Sequence, residues 1–453
     1  MMLVMHRKGA KAQVLRLKMA KRCRKMLIEF SVTNFRSIAE QQTFSMVAGR
    51  TSAHQEEYAA PSGHSLAPSC LRTACLVGPN GSGKSSLIKA FDFFSDFVKE
   101  SASSSDRDAI IPVENHIFDE EMSNSPSTFE VIFTFKGNLY QYGFSVDTQR
   151  VYDEWLFMKE NGDGHRLKII FTREYDEKLK KHIWNINRNN LKGDREVWKR
   201  NTKDNSLFLS TAVMLNSEDL RIPFEWITFC LRVIENPSSV DGGFSAKKID
   251  DGEFKDEILT FLSDIDIKIE NIEVERSEFD PETDIPSEIP AELQKIMANS
   301  MKGKTIVKKL ETVRKIKSGK LVKLSMLEES SGTQVLFSLS APILHVLKEG
   351  FTLAIDEMSN TLHPLAVQHL VGLFNNKKIN KNGAQLIFTS HETAVLEDDI
   401  VHKDQIWLVE KGDDYATKIK PASSYKTRDS VNLRKAYLSG RFGAVPIIVG
   451  NNL

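Results

Sequence analysis

The chain has 453 residues, 41% of them hydrophobic and 27% charged, with 61 Lys+Arg balancing 61 Asp+Glu. That is enough for two or three domains with a large core, and no apolar run approaches the roughly 18–20 residues of a membrane span. The four cysteines (Cys23, Cys70, Cys75, Cys230) form no C-x-x-C pair, so neither a disulfide framework nor a thiolate zinc site is expected, and a soluble cytoplasmic protein is.

The charge is uneven. Residues 1–25 hold nine Lys/Arg and no acid, without the continuous apolar core of a signal peptide; a basic, flexible extension is expected there. Residues 27–48 then alternate apolar and polar (LIEFSVTNF, TFSMVA), a strand pattern. A Ser/Ala/Pro/Gly-rich loop follows, and then CLVGPNGSGKSSLIKAFDFFSDFV, which reads as strand, glycine-rich turn and amphipathic helix.

Within it, Gly78-Pro79-Asn80-Gly81-Ser82-Gly83-Lys84-Ser85 matches G-x-x-x-x-G-K-[ST] in full, with Ser86 next. Glycines let backbone N–H groups turn inward around phosphates, and the helix start adds its positive dipole. Lys84 is expected to reach the β/γ-phosphates of ATP, and Ser85 to ligate Mg²⁺.

FEVIFTF and LYQYGFSV flank Lys136-Gly137-Asn138, a hairpin signal. From about 160 to 320 the pattern changes to charged stretches (REYDEKLKKH), a helix-like block around Phe224–Ile234 and an acidic, Pro-spaced run at 278–292. This span reads as an insertion between the halves of one domain: 26–160, insertion 161–320, then 321–453. It contains nine cations and one acid in 302–323, a candidate phosphate-contacting stretch, and a D-x-D pair at Asp264 and Asp266 that reads as a solvated strand end.

Three later segments complete the picture. Phe351-Thr-Leu-Ala-Ile ends in Asp356-Glu357: a buried strand delivering two carboxylates to its C-terminal edge, where ligands of open α/β sheets bind. Asp356 is expected to hold Mg²⁺ and Glu357 to orient and deprotonate the attacking water. Gln-Leu-Ile-Phe-Thr-Ser then leads to His391, placed to contact the γ-phosphate. Twenty-two residues before Asp356 ends Glu328-Glu329-Ser330-Ser331-Gly332-Thr333-Gln334. Alone, it reads as an N-capped helix start.

The order of phosphate loop, Ser-Gly segment, Asp-Glu strand and His resembles the ABC-type ATPase heads of the SMC, RecF and OLD class. With MLIEFSVTNFRSI, TLHP and YLSGRFGAVP, it is similar to bacterial stand-alone AAA/OLD-like ATPases resembling the ATPase components of anti-phage systems such as PARIS, Septu and abortive infection. The resemblance covers roughly 26–160 and 320–447. It implies an α/β P-loop fold with a mixed, largely parallel sheet and an inserted α+β region.

The resemblance also implies that Ser331 and Gly332 cap the γ-phosphate bound to a partner copy, in a head-to-head dimer. Thr333 stands where such signatures usually carry a second Gly. No clear Gln lid follows the phosphate helix; Asn115 or His116 is the candidate, and Arg36 in NFRSI is a candidate nucleotide contact. The roughly 60 residues after His391 are too few for a metal-dependent nuclease domain, so an effector such as a nuclease is expected in trans. A nucleic-acid-clamping repair ATPase is the alternative, and a transporter motor ranks last.

Overall fold

The computed structural model describes residues 24–49, 55–103, 109–162, 164, 166–286, 288–360, 362–397, 400–425 and 432–445. Nearly all of the basic extension expected at 1–25 lies outside them. The chain divides into two units. One comprises the chain up to Asn236, Val346–Asn360 and the chain from Val367 on; the other comprises Pro237–His345 and Thr361–Ala366.

The first unit holds two large sheets. The antiparallel one has strands β1 (Leu27–Thr33), β2 (Gln42–Ser45), β6 (Ser127–Phe135), β7 (Asn138–Val146), β8 (Val151–Glu160), β9 (Lys168–Asp176) and β10 (Lys181–Ile186) in the order β10-β9-β8-β7-β6-β1-β2. The charged stretch REYDEKLKKH is the β9–β10 hairpin at its edge. Charges suit an edge because they block pairing with other chains. A two-stranded piece, β3 (Ala59–Pro61) with β4 (Ser69–Leu71), leads into the second large sheet.

That sheet runs β11-β15-β16-β5-β17-β18. Strands β5 (Thr73–Val77), β11 (Leu231–Ile234), β15 (Thr352–Ile355), β16 (Gln385–Ser390) and β17 (Ile406–Lys411) are parallel neighbours, and β18 (Thr417–Pro421) closes one edge antiparallel. β5, β15 and β16 are buried at every position, as strands covered on both faces must be. This is the expected α/β P-loop fold. The helix-like block at 224–234 resolves differently: a π-turn at Trp226–Cys230 breaks it, and Leu231–Ile234 becomes a sheet strand. Its Leu, Val and Ile fit either element, and pairing with β15 decides.

Helix α1 (Lys84–Glu100) joins the sheets. Its Phe91 stacks on Phe30 of β1 at 4.2 Å and its Phe94 on Phe144 of β7 at 5.3 Å, while its other side meets β11 and β15. Buried Gln385 ties the N-terminal strand to the sheet: its Oε1 accepts from Leu27 N at 2.7 Å, and its Nε2 donates to Leu27 O and Leu71 O. Because sheet interiors leave no backbone group unpaired cheaply, this side chain fixes the register of segments 358 residues apart.

The second unit is a three-stranded antiparallel sheet, β12 (Asn271–Glu278), β13 (Thr305–Lys315) and β14 (Leu321–Ser325), carrying α2 (Gly243–Asp250) and α3 (Lys255–Ser263). Helix α4 (Ser331–Glu349) begins here, and Ser245 of α2 donates to its Phe337 carbonyl at 2.8 Å. The basic run 302–323 is therefore a β-hairpin. Lys308 pairs with Asp284, Lys309 with Glu311 at 3.1 Å, Arg314 with Glu329 at 2.8 Å and Lys323 with Glu273 at 2.5 Å, so four of its nine cations already have acidic partners. Asp266, of the D-x-D pair, lies 3.6 Å from Lys268.

Candidate nucleotide site

The loop between β5 and α1 is shaped by two glycines. A Cβ on Gly78 would sit 2.0 Å from the Val409 carbonyl oxygen, a backbone atom that cannot move aside. Gly83 has φ +100°, and its Cβ would meet Thr417 Oγ1 at 1.9 Å. No side chain fits either place. With them the loop turns back over the start of a 17-residue helix, whose unpaired N–H groups face the turn.

A cavity of about 610 Å³ opens over this turn, lined by residues 80–86, Ser37, Glu357, Asn360 and His391. It thus gathers Asn80, Gly81, Ser82, Gly83, Lys84, Ser85 and Ser86 with Glu357 and His391, residues up to some 310 positions apart. Gly78 and Pro79 contribute their carbonyls, which accept from Lys84 Nζ at 2.8 and 3.0 Å. Lys84 is buried, and its pKa falls to about 8: desolvation lowers it more than the nearby Asp356 and Glu357 carboxylates raise it.

Behind the cavity, buried Asp356 ends β15. Its Oδ1 accepts from Thr389 Oγ1 at 2.5 Å and from Glu357 N at 3.1 Å, and Thr389 Oγ1 also accepts from Glu357 N at 2.7 Å. Glu357 itself sits at φ +49°, the left-handed region that a residue with a Cβ enters only when its surroundings hold it. Asn360 Nδ2 donates to its Oε2 at 2.5 Å, so the carboxylate is aimed as well as placed. His391, exposed beyond β16, has a pKa lowered first by desolvation of the ring and then by the Lys84 charge.

Ser37, Thr417 and Asn360 are site residues that sequence reasoning missed. Ser37 Oγ shares a hydrogen with Ser86 Oγ at 2.7 Å and accepts from Thr417 Oγ1 at 2.8 Å, while Thr417 Oγ1 also reaches Ser82 O at 2.9 Å. The Ser86 hydroxyl thus supports the loop while it also lines the cavity. The candidate lid residues are spent on other contacts. His116 is buried with Nδ1 on Arg36 O at 3.0 Å, and Asn115 Nδ2 donates to Ser123 O and Ser125 O. Arg36 pairs with Glu114 and is absent from the cavity lining.

Does this cavity suit a phosphate chain? Ser82 Oγ is buried with no partner among the described residues, a donor that an anion would satisfy. It stands close to the helix start and to Lys84 in the chain, so the residues present fit a polyphosphate. Ser85, in the first turn of α1, lines the cavity and Asp356 lies behind it; both carry oxygens of the kind a hard cation such as Mg²⁺ takes.

In the second unit, Glu329 is buried and anchors the Ser-Gly segment. Thr312 Oγ1, Arg314 Nε and Arg314 Nη2 donate to its carboxylate at 2.6, 3.0 and 2.8 Å. Burial pushes its pKa up, and these hydrogen bonds more than offset that, leaving it below the ordinary range. Ser330 Oγ caps the helix by accepting from Thr333 N at 3.2 Å, and Gln334 Nε2 donates back to Glu329 O at 2.8 Å. Ser331 is left exposed at the N-terminus of the 19-residue α4, with Gly332 partly so.

A family model described as "AAA domain, putative AbiEii toxin, Type IV TA system" matches residues 74–397. Among solved structures the chain is similar to an SMC head domain from Thermotoga maritima, at 12% identity over 87% of this chain and 98% of that one, with a TM-score of 0.38. It is also similar to the recombination mediator protein RecF bound to ATP, at 15% identity over 88% and 98%, with a TM-score of 0.36. No curated protein matches. The family match spans well over half of the chain and takes in the phosphate loop, the Asp356-Glu357 strand end and His391: the chain belongs to this AAA-domain family.

Proposed function

We propose that the protein is an Mg²⁺-dependent ATPase working as a nucleotide-driven dimeric switch, in which Ser331 and Gly332 of one copy cap the γ-phosphate held at the Gly78–Ser86 loop of another. The observation that carries this reading is the division of labour. One cavity gathers Lys84, Ser85, Glu357 and His391, while Ser331 stands exposed at a firmly anchored helix start. A Ser hydroxyl and free N–H groups at such a start form an anion cap.

In this reading Lys84 holds the β/γ-phosphates, with Ser85 and Asp356 as ligands of a metal that neutralises phosphate charge when bound. Glu357, fixed by Asn360 and its backbone, orients the attacking water and takes its proton. His391 contacts the γ-phosphate from the rim. ATP favours the closed dimer only by the extra contacts it makes there, and hydrolysis removes them. We place this switch in bacterial anti-phage defence, controlling an effector such as a nuclease in trans. The resemblance of the motifs supports that placement.

Mixing two inactive variants tests the shared site. Lys84→Ala and Ser331→Arg chains should each fail to hydrolyse ATP. Mixed in equal amounts and exchanged, about half of the dimers are hybrids. Each hybrid has one composite site with both residues intact, so about a quarter of the normal activity should return. No recovery, with exchange verified by tagged chains, would rule out action in trans.

A further inference from the structure

Among the described residues, the cavity over the phosphate loop is lined by glycine, serine, asparagine, lysine and glutamate, with His391 the only ring, and so offers little surface for a nucleobase. Bases bind by stacking on aromatic faces or cationic planes, because every base offers a π-face. One exposed aromatic pair, Phe118 with Tyr415, sits close in the chain to residues bonded to Ser37 and to the phosphate loop.

Tyr415 occupies the turn joining β17 to β18, two residues before Thr417, whose hydroxyl touches both Ser37 and the Ser82 carbonyl. Phe118 comes two residues after His116, whose ring nitrogen meets Arg36 O, next to Ser37. The two rings stack on each other with centroids 4.9 Å apart and planes 26° apart. Lys411, directly opposite Thr417 in the hairpin, lies 5.8 Å above the Phe118 ring and 5.7 Å above that of Tyr415.

Both rings are more than half exposed, at 58% and 56%, so their stacking covers little apolar surface. Tyr415 moreover adopts φ +59°, a conformation costly for a bulky residue. The turn enforces it: Tyr415 N donates to Gly412 O at 3.0 Å, Gly412 N to Ala416 O at 2.9 Å, and Ala416 N to Asp414 Oδ1 at 3.1 Å. Two residues of chain span about 7 Å, which keeps the Tyr415 backbone within about a nucleoside's length of the loop that Thr417 touches.

We propose that Phe118 and Tyr415, with Lys411 beside them, form the platform on which the base of the nucleoside triphosphate stacks while its phosphates occupy the Gly78–Ser86 loop. This rests on the nucleotide reading of that loop. The ring faces supply base affinity, and the Lys411 ammonium faces the ribose or α-phosphate side.

The two claims are separated by titrating the full chain, in a Glu357→Gln background, with Mg·ATP and with Mg·tripolyphosphate, which has no base. Phe118→Ala and Tyr415→Ala should each weaken ATP binding about tenfold and leave tripolyphosphate binding unchanged. Phe118→Tyr and Tyr415→Phe should keep full ATP affinity. Lys84→Ala should lose both ligands. Unchanged ATP affinity in both alanine variants overturns the platform alone, as does an equal loss of both ligands, which would make the rings mere support for the loop. Failure of the parent protein to bind either ligand overturns the platform and the nucleotide reading together.

Discussion

Truncating Arg314 should disarm the Ser-Gly segment without touching the phosphate loop. Glu329 has one tenth or less of its surface exposed and takes three hydrogen bonds, two of them from the Arg314 fork at 3.0 and 2.8 Å. Charge-assisted hydrogen bonds contribute about 1.5–3 kcal/mol each in favourable settings. The Arg314 side chain is 36% exposed, so solvent screening reduces the pair's worth to about 2 kcal/mol for the whole fork. If that energy holds the turn leading into Ser331, its loss lowers the population of the competent tip about thirtyfold.

Arg314→Ala should therefore slow steady-state ATP hydrolysis about thirtyfold while ATP affinity at the loop, in protein dilute enough to stay monomeric, is unchanged. Hydrolysis and binding are measured separately, the second by titration of Glu357→Gln protein. The pH dependence follows from sign. A carboxylate with a depressed folded pKa contributes fully above its unfolded value of about 4.3 and loses that contribution as pH falls through the folded value. The anchor is thus intact at neutrality. Normal hydrolysis by Arg314→Ala, or a parallel loss of ATP affinity, would refute this chain of reasoning.

Two further outcomes follow. Lys84, with its pKa near 8, binds phosphates as the cation, so ATP affinity should hold near pH 7 and weaken above about pH 8, approaching tenfold per pH unit. Lys84→Arg, charged throughout, should abolish that slope in calorimetric titrations, and equal affinity of the parent at about pH 7 and about pH 9 would contradict it. In the antiparallel sheet, Glu154 is fully buried and accepts from Phe208 N, Leu209 N and Tyr142 OH at 2.6, 2.9 and 3.0 Å, with Arg173 Nη1 3.6 Å away. Arg173→Ala leaves that carboxylate uncompensated and should cost about 3–5 kcal/mol in chemical denaturation; a loss below about 1 kcal/mol would mean the charge is already satisfied by its three donors.

The phosphate loop and the Asp356-Glu357 strand end were legible in the sequence as local patterns of fixed spacing, and His391 from its place just past a buried strand. The α/β sheet was legible from short apolar runs, ACLV, LAI and LIF, at the centres of its strands. Ser37, Thr417 and Asn360 were not. A serine or threonine supporting a loop carries no spacing of its own, and only the pairing of β17 with β18 brings Thr417 under Ser82. The Phe118–Tyr415 pair was hidden likewise, its members nearly 300 residues apart. The 328–334 segment was readable both as a capped helix and as an anion cap, because the same orphan N–H groups serve both.

The central claim is that Ser331 completes a site in a second copy. The most direct test is the solution mass of Glu357→Gln protein with and without Mg·ATP, repeated with Ser331→Arg added. An ATP-dependent rise to a dimer or larger assembly, abolished by Ser331→Arg, is the predicted result. A mass indifferent to both ATP and Ser331→Arg would reduce Ser331 to the first residue of a capped helix and remove the switch.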